Sequence, residues 1–195
     1  AVVAHLDTTR YDIRLVGISR KGAWLGEEGS KQMLADGSIS GPVRGPYLPE
    51  GTNVVMPVLH GPGGEDGTLQ GWLELLDVPC VGSDCAGSAI AMDKSVAKRL
   101  FAAAGLPVAE EIIVSRKEAE RSDPLPRPYV IKPINEGSAV GVHIVLEGDN
   151  KAPLDDMGLD ADSPIMVERY IPGREVTVTV MGDRALAVTE ITTDR

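Results

Sequence analysis

Between residues 59 and 71 the chain reads Leu-His-Gly-Pro-Gly-Gly-Glu-Asp-Gly-Thr-Leu-Gln-Gly. The apolar run Val54–Leu59 in front of it predicts a buried strand, and the apolar spacing over Leu69–Leu76 predicts a helix behind it. The segment between is therefore a strand-to-helix loop. In an open α/β sheet such loops lie outside the carboxyl ends of the strands, where ligands bind. Gly61, Gly63, Gly64 and Gly67 let the backbone turn sharply and bring its N–H groups close to a ligand. A loop that merely connects would seldom accept their entropic cost. Asp66 is expected to serve as N-cap of the following helix, but a cap explains neither His60 nor Glu65.

With 195 residues, 43% of them hydrophobic, the chain can bury a core and supplies one domain or two small ones. No apolar stretch approaches the roughly 20 residues of a membrane span and no signal peptide opens the chain, so a cytoplasmic protein without a membrane partner is expected. The net charge of −10 argues against nucleic acid as a partner, because phosphate backbones need clustered Lys and Arg. An anionic ligand would have to be met by a few placed cations. Cys80 and Cys85 have the spacing of neither a redox pair nor a zinc site, and are expected to be reduced, buried and apolar in role.

Ala1–Leu6 resembles the late part of a helix, and Tyr11–Ser19 alternates like a strand. Residues 26–51, rich in Gly, Pro and charge, predict an irregular excursion with at most one helical turn near Lys31–Leu34. Val78–Val81 predicts a short strand and Ala86–Met92 a small-residue helix. A second helix starts at its N-cap Asp93, turns Val96, Leu100 and Ala104 to one face, and ends at Gly105. This alternation of strands and helices predicts a small parallel sheet. Beyond Gly105-Leu106-Pro107 strands dominate: residues 110–115, 129–133, 165–171, 176–181 and 185–191, with a short helix at 116–121 and an acidic loop over 147–162.

Lys94 stands at the positive end of its helix, where a cation is unfavourable unless an anion is near; a solvated surface lysine is the plain alternative. Lys132 lies within the apolar strand Tyr129–Pro133, so its ammonium must meet a carboxylate or a phosphate. The turn that follows, Ile134–Val142, can aim several N–H groups at phosphate oxygens, or be an ordinary hairpin. Neither a Walker loop nor a GxGxxG fingerprint is present. Glu168 and Arg169 could be no more than a surface ion pair, worth under about 1 kcal/mol.

The run His60–Gly71 matches every specified position of His-Gly-x-x-Gly-Glu-Asp-Gly-x-aliphatic-x-Gly, and so resembles the signature of the D-alanine–D-alanine ligases of the ATP-grasp superfamily. Met92-Asp93-Lys94 and Lys132-Pro133-x-x-x-Gly137-Ser138 are similar to two further motifs of that family. The resemblance implies an α/β fold: an N-terminal parallel-sheet α/β domain over residues 1–92 and ATP-grasp α+β structure over 93–195, truncated at both ends. It implies ATP-dependent joining of two D-alanines through an acyl phosphate for peptidoglycan synthesis, with ATP, Mg²⁺ and D-alanine as ligands. A homodimer is the expected assembly.

By the same resemblance Lys94 and Lys132 reach the nucleotide phosphates, and Glu136 and Gly137 belong to the phosphate loop. Ser138, the catalytic residue, lies close to the first D-alanine and the transferred phosphoryl group. Glu168, Arg169, Tyr170 and Ile171 meet the adenine, Glu175 the ribose, and His60 and Glu65 line the substrate side. One departure is visible: members commonly carry two consecutive serines, and the second position here is Ala139. Further parts are expected before Ala1 and after Arg195, among them the Mg²⁺ ligands, none of which is assigned within the chain. A related ligase using another second substrate, such as D-lactate, and a non-catalytic nucleotide-binding fragment are the alternatives.

Overall fold

The run Tyr129–Pro133 forms a strand, β4, near the middle of a four-stranded antiparallel sheet, and the alternation of its side chains organises the larger part of the molecule. Residues 2–150 and 152–192 are described in the computed structural model, which divides into two units, residues 1–55 and residues 56–195.

In the first unit two short strands, β1 (Trp24–Leu25) and β2 (Pro42–Val43), pair antiparallel and flank a helix, α1 (Glu27–Asp36). The helix is longer than the single turn expected from the sequence. Gly29 and Ser30 weaken its intrinsic propensity, but tertiary contacts decide the matter. The Ser30 hydroxyl accepts the Gly17 N–H at 2.7 Å and donates to main-chain carbonyls at its own helix start. Glu27 and Glu28 complement the helix dipole, Lys31 bridges back to both, and Gly37 closes the end in the left-handed conformation. Tyr11–Ser19, expected as a strand, forms only a single bridge, Ile18 with Trp24. Its alternating side chains are compatible with extension, but β1 is too short to take up more than its end, where the Leu25 N–H donates to the Gly17 carbonyl at 2.9 Å.

The second unit begins with three helices, α2 (Thr68–Leu75), α3 (Cys85–Met92) and α4 (Lys94–Ala103). Asp93 caps α4 by accepting the Val96 N–H at 2.9 Å, as expected. Gly105 ends it with the paired bonds Gly105 N–H to the Ala102 carbonyl and Leu106 N–H to the Phe101 carbonyl. The face of α4 turned inward differs from the expected one: Ala97 is buried and Lys94 and Lys98 half-buried, whereas Leu100 is 48% exposed. Long lysine stems cover apolar surface as well as leucine does. Cys80 and Cys85 are free and half-buried rather than fully buried.

Next come β3 (Glu111–Ser115), α5 (Arg116–Arg121), β4, β5 (His143–Val145), a 3₁₀ turn (Leu154–Met157) and β6 (Pro164–Arg169), with the sheet order β3-β6-β4-β5. One face of this sheet carries Tyr129, Ile131, Ile165 and Val167, packed with Val145, Ala119, Leu154 and Met157 into the core. The period of two then puts Lys132 and Glu168 on the other face. A hairpin, β7 (Glu175–Met181) and β8 (Arg184–Ile191), closes the described chain and is exposed along its length.

Every strand pairing among the described residues is antiparallel. This corrects the expected parallel sheet of the N-terminal part, while the mixed α/β class stands. Val54–Leu59 and Val78–Val81, two of its intended strands, form no ladder. Val54, Met56 and Val58 are half-exposed and each run holds only a single bridge residue, Val55 and Cys80, so an apolar run alone does not make a strand where no continuous ladder forms. Ile131, 1% exposed at the centre of the core, tests the role assigned to β4. The substitution Ile131→Ala is expected to destabilise the second unit by about 2–5 kcal/mol in urea unfolding.

Candidate functional site

The loop from His60 to Gly67 is held in shape by its own carboxylates. Glu65 Oε2 accepts the Gly61 N–H at 2.7 Å, and Asp66 accepts the N–H groups of Gly63 and Thr68 at 2.8 and 3.0 Å. Asp66 is not the N-cap of α2, a position that Gly67 takes with φ +89°. A Cβ on Gly67 would lie 2.5 Å from the Cys85 carbonyl oxygen, so only glycine lets α2 start this close to α3. Asp66 supports the helix start from one residue further back. Burial alone would raise its pKa, and these backbone bonds outweigh burial and hold it below the ordinary carboxylate value.

A second loop, Ile134–Val142, leaves β4 and returns as β5. Its tip is a turn closed by the bond from the Val140 N–H to the Gly137 carbonyl, with Ser138 and Ala139 both at positive φ, +51° and +58°. Such backbone is costly for residues with a side chain and persists where the surroundings impose it. The two loops touch: a Cβ on Gly137 would lie 3.3 Å from the backbone of Gly61 and 3.5 Å from Glu65 Oε2. Gly137 is small because the first loop passes against it.

Between the loops and the start of α4 lies a cleft of about 360 Å³. Glu65, Lys94, Glu136, Gly137 and Ser138 supply its polar lining, and Met92, Pro133 and Val142 are part of its apolar wall. Lys94 Nζ donates to the main-chain carbonyls of Ile134, at 3.2 Å, and Glu136. Burial, and then the like charge of Lys132, push its pKa below the ordinary lysine value. A half-buried ammonium so placed is under-neutralised, and an anion entering the cleft would favour its charged form.

Lys132 meets the carboxylate expected for it, forming an ion pair with Glu168 Oε1. Glu168 Oε2 in turn accepts from Lys98 at 2.8 Å, and Lys98 also pairs with Glu111 and donates to the Ala109 carbonyl. Lys98 and Glu111 were not singled out from the sequence. The available signal was spacing: Lys98 lies four residues after Lys94 and so on the same face of α4. Burial would raise the Glu168 pKa, but the hydrogen bonds from Lys132 and Lys98 win and keep it below the ordinary glutamate value.

The structure thus brings Glu65, Lys94, Glu136, Gly137 and Ser138 to one cleft, and Lys132 and Glu168 to an adjoining ion cluster. Arg169 and Tyr170 leave the end of β6, their N–H groups bonded to the carbonyls of Glu110 and Pro128. Ile171 is exposed, as is Glu175 at the start of β7. His60 is exposed and does not line the cleft. Among the described residues no group of three or more His, Cys, Asp or Glu side chains converges as a metal site requires.

A family model described as D-ala D-ala ligase N-terminus matches residues 1–83, and one described as D-ala D-ala ligase C-terminus matches residues 100–195. The D-alanine–D-alanine ligase of Paramagnetospirillum magneticum is 55% identical over 142 residues, covering 73% of this chain and 46% of that protein. That of Acidiphilium cryptum is 54% identical over 139 residues, covering 71% and 46%. The chain therefore spans about half the length of these curated relatives. Among solved structures, the VanG D-Ala:D-Ser ligase from Enterococcus faecalis superposes with a TM-score of 0.72 at 32% identity, over 97% of this chain and 63% of that one. The D-alanine–D-alanine ligase from Coxiella burnetii also gives 0.72, at 26% identity, over 97% and 64%. These likenesses bear out the expected ATP-grasp fold class.

A depressed carboxylate pKa contributes stability that is present above the unfolded value and lost as pH falls through the folded one. For Glu168 the unfolded value is near 4.5. Stability followed by urea unfolding should accordingly decline as the pH is taken below about 4.5, and the decline should be shallower in Glu168→Gln.

Proposed function

The chain belongs to the D-alanine–D-alanine ligase family, and from that premise we propose that it takes part in the ATP-dependent joining of two D-alanines for peptidoglycan synthesis. The observation that carries this reading is the cleft itself, where the family signature's Glu65 and the phosphate-loop residues Glu136–Ser138 face one under-neutralised cation, Lys94.

A carboxylate is a poor electrophile. In the proposed reaction a carboxylate oxygen of the first D-alanine attacks the γ-phosphorus of ATP, ADP leaves, and an acyl phosphate forms. The amine of the second D-alanine then attacks the acyl carbon, and inorganic phosphate leaves with the C–O bond electrons. Positioning and charge neutralisation supply most of the catalysis of phosphoryl transfer. Lys94 and Lys132 fill that role here. The N–H groups of Val140 and Val142 close the loop on itself, which leaves the other amides of its tip for phosphate oxygens. Ser138, on the cleft wall, lies near the transferred group and the first D-alanine. Ala139 supplies no hydroxyl where relatives commonly have a second serine.

Glu168, Arg169, Tyr170 and Ile171 hold the adenine and Glu175 the ribose; the position of the first four at the end of β6 supports this. His60 and Glu65 serve the substrate side. The division of labour follows the chain, with residues 1–92 on the substrate side and 93–195 in the ATP-grasp region. The two family models, which stop at 83 and resume at 100, support that division. Mg²⁺ would assist with phosphate charge when bound. No helix among the described residues is long and apolar enough to cross a membrane, in keeping with a cytoplasmic enzyme. A homodimer is the proposed assembly, open to light scattering.

One observation favours a second reading: the likeness to the VanG D-Ala:D-Ser ligase. A different second substrate would leave the first half-reaction unchanged. The identities above 50% to D-alanine–D-alanine ligases support D-alanine in both positions.

The purified protein with ATP and Mg²⁺ is expected to release ADP in a D-alanine-dependent manner. Release equal with and without D-alanine would overturn the ligase reading. Lys132→Ala should weaken ATP binding by about 10²-fold or more, the scale of one lost charge-assisted contact in a desolvated site. Its far-UV circular dichroism should be unchanged, and ordinary ATP affinity in that variant would refute the phosphate role.

A further inference from the structure

Glu111 and Glu168 are direct partners across β3 and β6. Like charges directly opposite on a sheet repel, and both side chains are largely withdrawn from water, at 20% and 15% exposure. Lys98, itself 14% exposed, reaches from α4 and pairs with both. Among the described residues Lys132 pairs with Glu168 alone, through the other carboxylate oxygen. The charged groups facing Glu168 are thus Lys98 from α4, Lys132 from β4 and Glu111 from β3, with Lys94 of α4 also near enough to act on it electrostatically.

This arrangement bears on how Lys132 can do two things. Without nucleotide its ammonium is bound to Glu168. To neutralise a phosphate, as the functional reading above requires, it must give up all or part of that bond. A half-buried carboxylate stripped of its cation is strongly unfavourable and would take up a proton or hold its lysine back. We propose that Lys98 is a positioning residue that keeps Glu168 neutralised when Lys132 turns to the nucleotide phosphates, so that nucleotide binding exchanges ion pairs and needs no proton. Glu168 stays ionised throughout and remains an acceptor fixed at the end of β6. The inference rests on the nucleotide reading and adds to it a residue that does not touch the ligand.

The test is titration calorimetry of the purified protein with ATP in two buffers of different ionisation enthalpy, which counts protons taken up on binding. The unaltered protein should bind with little proton uptake between about pH 6 and 7. Lys98→Met should bind ATP about tenfold or more weakly, with proton uptake that grows as pH falls, since Glu168 must now be protonated as Lys132 leaves it. Lys98→Arg should restore both quantities. Removing the carboxylate removes the need for Lys98, so in a Glu168→Gln background the Lys98→Met change should alter ATP affinity by no more than about twofold. That pair carries the test if Lys98→Met alone does not fold. Ordinary affinity in Lys98→Met, weak binding without proton uptake, or a tenfold loss in the Glu168→Gln background would each overturn the inference. If the unaltered protein binds no ATP at all, the nucleotide reading fails and this inference with it, an outcome distinct from the other three.

Discussion

One half-buried carboxylate, Glu168, held between the ammonium groups of Lys98 and Lys132, ties together most of what the second unit does. It joins helix α4 to the sheet, since Lys98 comes from the helix and Lys132 and Glu168 from adjacent strands. Charge buried to this degree is tolerated only when paired. The cluster therefore specifies which face of α4 turns inward, and its small lysine-and-alanine face is accepted in place of a leucine one. With α4 so placed, Lys94 stands at the cleft one turn before Lys98. Its main-chain N–H and its Nζ both reach the Ile134 carbonyl.

The cleft depends on a second constraint, the close passage of two glycine-containing loops. Gly61 and Gly137 pass so closely that a Cβ on Gly137 would lie 3.3 Å from the Gly61 backbone. The first loop is stiffened by Glu65 and Asp66 bonding to its own amides, and the second by a tight turn through Ser138 and Ala139. Two loops braced in this way form a wall whose polar groups are already oriented. Such preorganisation is what phosphoryl transfer asks of a protein, because reorienting dipoles during the reaction is costly. The core on the opposite face of the sheet, with Tyr129 and Ile131 at its centre, supplies the rigid support. Burial, followed by the hydrogen bond to Asp123, pushes the Tyr129 phenol up to about 12.

The elements legible in the sequence were those whose signals are local. Asp93 with Gly105 bounded α4, the apolar run Tyr129–Pro133 marked a core strand, and the runs 176–181 and 185–191 announced the last hairpin. The elements that were not legible depend on distant partners. Helix α1 persists through Gly29 and Ser30 because Ser30 bonds to Gly17, thirteen residues earlier. Val54–Leu59 and Val78–Val81 have strand-like composition but no ladder, because a strand exists only where another strand accepts its backbone groups.

For the site, the sequence by itself determined the chemistry available: a signature loop from His60 to Gly71, a lysine that had to be paired at 132, and a glycine-bounded turn able to face phosphate. Residue types and short spacings carry that information, since motif geometry is local. Tertiary structure alone decided which carboxylate met Lys132, that Glu111 and Glu168 sit opposite each other, and that Lys98 serves both. These pairings join residues 13 to 70 positions apart. Strand register and helix placement set them, and register depends on the packing of the whole sheet rather than on any one segment of the chain.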